Sequence, residues 1–134
     1  MRSFVQAVVV CGFAALAAAE PGLAQTWSPD CPIAGRYNVV GRVPGATGSY
    51  TGEAIISANP GGCYMKWYPP NASEGTGTYV SGVLTIRFTF TNGGSGVVKY
   101  NMAPNGELHG VWWMNNSPDD QGTETLMPIT LAPH

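Results

Sequence analysis

Charge is scarce in this chain. Six Lys and Arg stand against eight Asp and Glu in 134 residues, a net charge of −2. No basic cluster exists, which removes nucleic acid and anionic lipid surfaces from the expected partners. Histidine occurs at 109 and 134 only, and neither sits at a recognisable spacing from a Ser, Cys or carboxylate partner. A lone histidine of that kind is a poor sign of acid–base or nucleophilic chemistry. G-x-S-x-G, H-E-x-x-H and a phosphate-binding loop are all missing, so the chain reads as non-enzymatic, with no catalytic residues, no metal site and no cofactor. A sustained helical period is also missing beyond the first segment.

That first segment, MRSFVQAVVVCGFAALAAAE, has the pattern of an export signal. Arg2 supplies the positive start, and Val8 to Ala19 form an apolar run shorter than the ~20 residues of a membrane span. Gly22 and Ala24 then place small residues at the −3 and −1 positions of a cleavage site after Ala24. The expected organisation is a signal peptide over 1–24 and one small domain over 25–134, exported to the periplasm or the outside, with no membrane span once the signal is removed. Of three cysteines, Cys11 leaves with the signal. Cys31 and Cys63 remain, and an isolated pair in a small exported domain predicts a disulfide.

What the chain has in abundance is short alternating runs of Val, Ile, Tyr, Phe and Trp, punctuated by Gly, Pro and Asn. The runs fall at 35–43, 49–57, 63–68, 75–80, 83–90, 97–102, 107–114 and 122–127. PGATG, ANPGG, Ser81-Gly82 and TNGGSG turn the chain between them, and YPPNASEG and MNNSPDDQG read as loops. About eight sequential strands without a helix predict an all-β, antiparallel up-and-down meander. So many strands in so few residues must close to bury one face, and a small closed barrel is expected, with a two-sheet sandwich as the alternative. Glycines inside the strands, Gly41, Gly52, Gly75, Gly77 and Gly110 among them, mark bends or the close approach of a bulky neighbour.

Strand parity selects the candidate site. In LHGVWWM, Trp112 shares a face with Leu108 and points inward, while Trp113 shares the outer face with His109 and Val111. Tyr37, Val39 and Val43 share one face of the first run. Cys63, Met65 and Trp67 oppose Tyr64, Lys66 and Tyr68 on the third. Glu124 has the parity of Leu126, so it faces the core, where a carboxylate needs a partner or a raised pKa. Arg36, Arg42, Lys66 or the hydroxyls of Tyr37 and Tyr100 are the candidate partners. Tyr37, Trp67, Tyr100, Trp112 and Glu124 are therefore the candidate ligand-binding residues, lining a barrel mouth for an apolar or aromatic molecule. Tyr64, Tyr68, His109 and Trp113 are the candidate surface contacts for a macromolecule. Asp119-Asp120 lacks the spacing of a calcium loop and reads as a solvated turn.

Taken in order, Gly35-Arg36-Tyr37, Tyr50-Thr51-Gly52, Tyr64 and Trp67, Val97-Val98-Lys99-Tyr100, the run G-x-L-x-G-x-W at 106–112 and G-x-E-x-L at 122–126 resemble a family of small exported bacterial β-proteins. Some of its members carry the name fibronectin-binding protein. The resemblance spans almost all of 25–134 and implies a compact exported β-domain, adhesive in some members, without catalytic residues. A looser likeness joins the Gly35-Arg36-Tyr37 opening to the avidin and lipocalin barrels. Avidin-like proteins hold biotin with tryptophans and a polar cluster near the first turn. NVVGRVPGATG has no clear counterpart of that cluster, so biotin specificity does not carry over.

The expected function is binding without catalysis, with adhesion to host matrix or an envelope component as the first form. A small apolar-ligand carrier with a pocket inside the barrel is the alternative. Inhibition of a hydrolase, through a loop or the segment TWSPD, is another.

Overall fold

The computed structural model describes residues 28–45 and 48–129. The signal segment expected over 1–24, and Thr26 and Trp27 of TWSPD, lie outside the described residues. Eight antiparallel strands follow one another: β1 Gly35–Arg42, β2 Ser49–Asn59, β3 Gly62–Trp67, β4 Ser73–Val80, β5 Val83–Phe90, β6 Ser95–Met102, β7 Leu108–Met114 and β8 Ser117–Pro128. Each pairs with the next, and β8 returns to β1, closing the barrel. The chain therefore takes the closed meander rather than the sandwich. Closure leaves no free sheet edge, which suits a protein with so few charges to guard one.

Alternation sets which residues fill the inside. On β5, Leu84, Ile86 and Phe88 are buried between Thr85, Arg87 and Thr89, and on β3 Cys63, Met65 and Trp67 are buried. Ala54, Ile56, Val98, Tyr100, Leu108 and Leu126 complete a continuous core. The β4–β5 hairpin turns on Ser81 and Gly82, both at positive φ (52° and 81°), as a two-residue turn matched to strand twist requires.

Four boundaries differ from the sequence expectation by two residues or more. β2 runs on to Asn59, β4 starts at Ser73 and β6 at Ser95. The largest change is in β8, which begins at Ser117, so that most of NNSPDDQ is extended chain and only Asn115-Asn116 turns. Its first residues are exposed and polar, so they lack the alternation that marks a strand. The β7–β8 register also shifts there, from Trp113↔Gln121 to Met114↔Ser117. Asp119 and Asp120 are accordingly strand residues, exposed, and not a turn. Val43, expected on the same face as Tyr37 and Val39, follows the end of β1 and is 41% exposed.

The two ends of the barrel are closed differently. At the end where β1 begins, Cys31 and Ile33 fold into the core, and Tyr37 donates a hydrogen bond to the Ile33 carbonyl at 2.6 Å. The Cys31–Cys63 disulfide ties this segment to the start of β3. The other end, where β1, β3, β5 and β7 finish, has no such plug among the described residues.

Large inward rings lie over glycines on the paired strand. Tyr100 faces Gly110, Phe88 faces Gly96 and Trp112 faces Gly122. A Cβ added at Gly110 would stand 2.5 Å from the Tyr100 ring, and one at Gly122 would stand 2.6 Å from the Trp112 indole. No L side chain fits at those spacings without moving the ring.

Two measurements check this account. Replacing both cysteines by serine should cost about 3–4 kcal/mol, the chain-entropy value for a loop of this length, read by urea unfolding against the oxidised protein. Gly110→Ala should cost about 1–3 kcal/mol through overpacking against Tyr100. Gly52→Ala, whose Cβ would meet nothing nearer than the Tyr68 carbonyl at 3.9 Å, should be neutral or slightly stabilising in the same assay.

Candidate functional site

The unplugged end is built from the last inward residues of the odd strands and the first of the even ones. β3 contributes Trp67, β5 Phe88 and Phe90, β7 Trp112, and β2 contributes Tyr50 beside them. The rings pack edge to face: Trp67 against Phe88 at 5.8 Å, Phe88 against Trp112 at 6.4 Å and Tyr50 against Trp112 at 6.5 Å between centroids. Such pairs hold one another's orientation beyond what burial alone supplies. Tyr50 leans across its strand partner Gly41, which brings its hydroxyl toward β8.

Glu124 waits there, 6% exposed. Its parity on β8 places it inside, one register step from Gly122 and Leu126. Three donors converge on it. The Tyr50 hydroxyl donates to Oε1 at 2.8 Å, Trp67 Nε1 donates to Oε2 at 2.8 Å, and the Tyr100 hydroxyl also donates to Oε2. No cation joins them among the described residues. Arg36, Arg42 and Lys66 are exposed on the outer face, and the Tyr37 hydroxyl is engaged at the other end of the barrel. Of the expected partners, Tyr100 alone fills the role. Tyr50 and Trp67 are the two donors that sequence reasoning missed.

Burial without a counter-charge raises the Glu124 pKa above its usual 4.5, and the donors Tyr100, Trp67 and Tyr50 pull it part of the way back. Burial, together with the same carboxylate, lifts the Tyr100 hydroxyl well above its ordinary value and does the same to Tyr50.

Above Glu124 the rings enclose a cavity of about 120 Å³ that opens at the barrel end. Tyr50, Trp67, Phe88, Phe90 and Trp112 form most of its wall, with Val43 and Val98; Asn71 and Ser73 border it from the β3–β4 side. An eight-stranded barrel is just wide enough to be filled by side chains or to hold one small ligand, and in this one the first half is filled while the second keeps a cavity. Trp112 is 9% exposed, and its indole N–H has no hydrogen-bond partner among the described residues. It lies close enough to the Tyr50 hydroxyl to oppose part of the rise in that group's pKa, but not in hydrogen-bonding geometry.

The structure thus brings Trp67, Trp112 and Glu124 together at the cavity. Tyr100 stands beneath it, fully buried, reaching the site only through Glu124. Tyr37 is not part of it, because the start of β1 lies at the plugged end. The four residues expected as surface contacts divide between the β3 and β7 regions. Tyr64, bonded to Glu74, is on β3, and Tyr68, with the Lys66 ammonium 5.4 Å from its ring centre, directly follows that strand. Trp113, half-buried, and His109, bonded to Glu107 at 2.9 Å, are on β7. Three strands lie between β3 and β7 in either direction around the barrel, so these residues occupy opposite sides.

No protein-family model matches the chain, and no curated protein matches its sequence.

The raised Glu124 pKa has a definite sign. A carboxyl whose pKa is higher in the folded than in the unfolded chain contributes most below about 4.5, and that contribution is lost as pH rises through the folded-state value. The difference in unfolding free energy between the wild type and Glu124→Gln should therefore shrink as pH rises from about 4 upward. Urea unfolding of both proteins across that range checks it; a difference that grows with pH would reverse the assignment.

Proposed function

We propose that this chain is an exported, non-enzymatic binding protein that takes a small, largely apolar ligand into the open end of its barrel. The observation that carries the proposal is the cavity of about 120 Å³, walled by aromatic rings and floored by a carboxylate held by three donors. Ligand sites of this kind combine apolar walls with a few fixed polar groups. The barrel half that is packed supplies stability, and the half that is open supplies the site.

Support for the other readings is weaker. Adhesion to a macromolecule calls for a continuous exposed aromatic face, and the outer aromatics lie on opposite sides of the barrel. MNNSPDDQG is mostly strand rather than a projecting loop, and TWSPD falls partly outside the described residues, which leaves a hydrolase inhibitor with little to act through. The non-enzymatic part of the proposal rests on Glu124 being surrounded by tyrosine and tryptophan donors, with His109 on the outer face, away from the cavity. Export rests on the signal-like first segment and agrees with the Cys31–Cys63 disulfide.

The test is tryptophan fluorescence of the purified, oxidised protein titrated with single-ring aromatic compounds. A saturable quench or blue shift is expected, lost in Trp112→Ala and kept in Trp113→Ala. An unchanged spectrum across the whole panel would remove the small-ligand reading.

A further inference from the structure

The cavity's polar features are unbalanced, and the imbalance says what the missing partner is. A carboxylate presents about four lone-pair positions. On Glu124, Oε2 accepts from Trp67 and Tyr100, while Oε1 accepts from Tyr50 alone. One position on Oε1 stays free, on a residue that lines the cavity. All three donors are neutral. Every lysine and arginine among the described residues is exposed on the outer face. The ion pair Arg36–Glu53 and the His109–Glu107 contact, the two such contacts found among the described residues, are also outside. A buried carboxylate normally has a cation beside it, and here the place for one is open cavity.

The walls favour the same kind of occupant. Five aromatic side chains line the space, and aromatic rings attract cations through their electron-rich faces, most strongly where water is excluded. An anion would meet the Glu124 carboxylate and the electron-rich ring faces, with no positively charged group among the lining residues to offset them.

We infer that the ligand is a small organic ammonium on an apolar, ring-sized body, its N–H donating to Glu124 Oε1 between the rings of Tyr50, Trp67 and Trp112. This rests on the proposed small-ligand function and names its ligand class. The size follows from the volume: about 120 Å³ compares with the roughly 150 Å³ in which an apolar cavity holds a benzene ring. An ammonium of this type arrives either on a free amine or at the tip of a lysine side chain. The aromatic wall favours the free arylalkylamine.

The experiment compares benzylammonium, benzyl alcohol and benzoate, which share a ring and differ in charge, by fluorescence titration of the wild-type protein at neutral pH. Benzylammonium should bind at least about tenfold more tightly than benzyl alcohol, the scale of a hydrogen bond to a charged group, and benzoate least. In Glu124→Gln the preference for benzylammonium over benzyl alcohol should vanish. Because the ligand series is read on the wild type, it decides the matter even where the variant fails to fold. Equal binding of alcohol and ammonium, or a preference for benzoate, would overturn the cation assignment and leave the small-ligand function standing. Silence from all three would remove both. n-Butylammonium, which reproduces the lysine stem, should bind more weakly than benzylammonium; the reverse order would overturn the free-amine assignment.

Discussion

A carboxylate sealed inside a β-barrel has to be held by strands other than its own, and Glu124 is held by three of them. It stands on β8 and accepts from Tyr50 on β2, Trp67 on β3 and Tyr100 on β6. None of those strands pairs with β8, whose neighbours are β7 and β1. The backbone ladder connects strands only to their neighbours around the wall; Glu124 connects them across the interior. Buried polar networks stabilise only when their members are satisfied. The register of four strands is therefore tied to one side chain, and the floor of the cavity is placed by the same bonds.

That arrangement depends in turn on room for large rings. Tyr100 reaches Glu124 across Gly110, and Gly110 is itself the β7 partner of Glu124. Tyr50 reaches it across Gly41, which is the β1 partner of Glu124. Glu124 thus has a glycine on each side, and each glycine makes space for a tyrosine that points back at the carboxylate. Side chains at 41 and 110 would occupy the volume the two rings need. Glycines that look like defects in strand propensity are what allow aromatic donors and an acid to meet.

Much of this was legible from the chain, for identifiable reasons. Alternation is a local property, so the strands, the inward set of Leu84, Ile86 and Phe88, and the opposite directions of Trp112 and Trp113 could be read directly. The inward parity of Glu124 was visible in the same way, and the lone cysteine pair marked the disulfide. The donors were harder. Which rings meet Glu124 depends on how the closed barrel staggers its strands, a non-local quantity that no single run encodes. Trp67 was legible as a wall residue and not as a donor, and Tyr50 not as a site residue at all. The available signal was the strong one: Gly41 and Gly110 flag a large neighbour, and Tyr50 and Tyr100 have the matching parity. β8 was read short because SPDDQ is extended but polar, and alternation cannot mark a strand segment that is exposed on both faces.

The difference between the two barrel ends explains why the unfinished chemistry is confined to one of them. At the first end the chain spends Cys31, Ile33 and the Tyr37 hydroxyl on closing itself, and the disulfide holds that closure to β3. The polar groups there find partners in the same segment. At the second end no plug is found among the described residues, and the inward residues are rings too rigid to collapse into the space between them. Edge-to-face packing among Trp67, Phe88, Trp112 and Tyr50 props the walls apart instead of filling the middle. A cavity kept open by rigid rings, above a carboxylate kept in place by three strands, is preorganised: its walls have little side-chain freedom left to lose, the condition under which the proposed ligand would keep more of its contact energy as affinity. The free lone pair of Glu124 and the unpaired N–H of Trp112 belong to that preorganised half, whereas the packed half secures the fold without them.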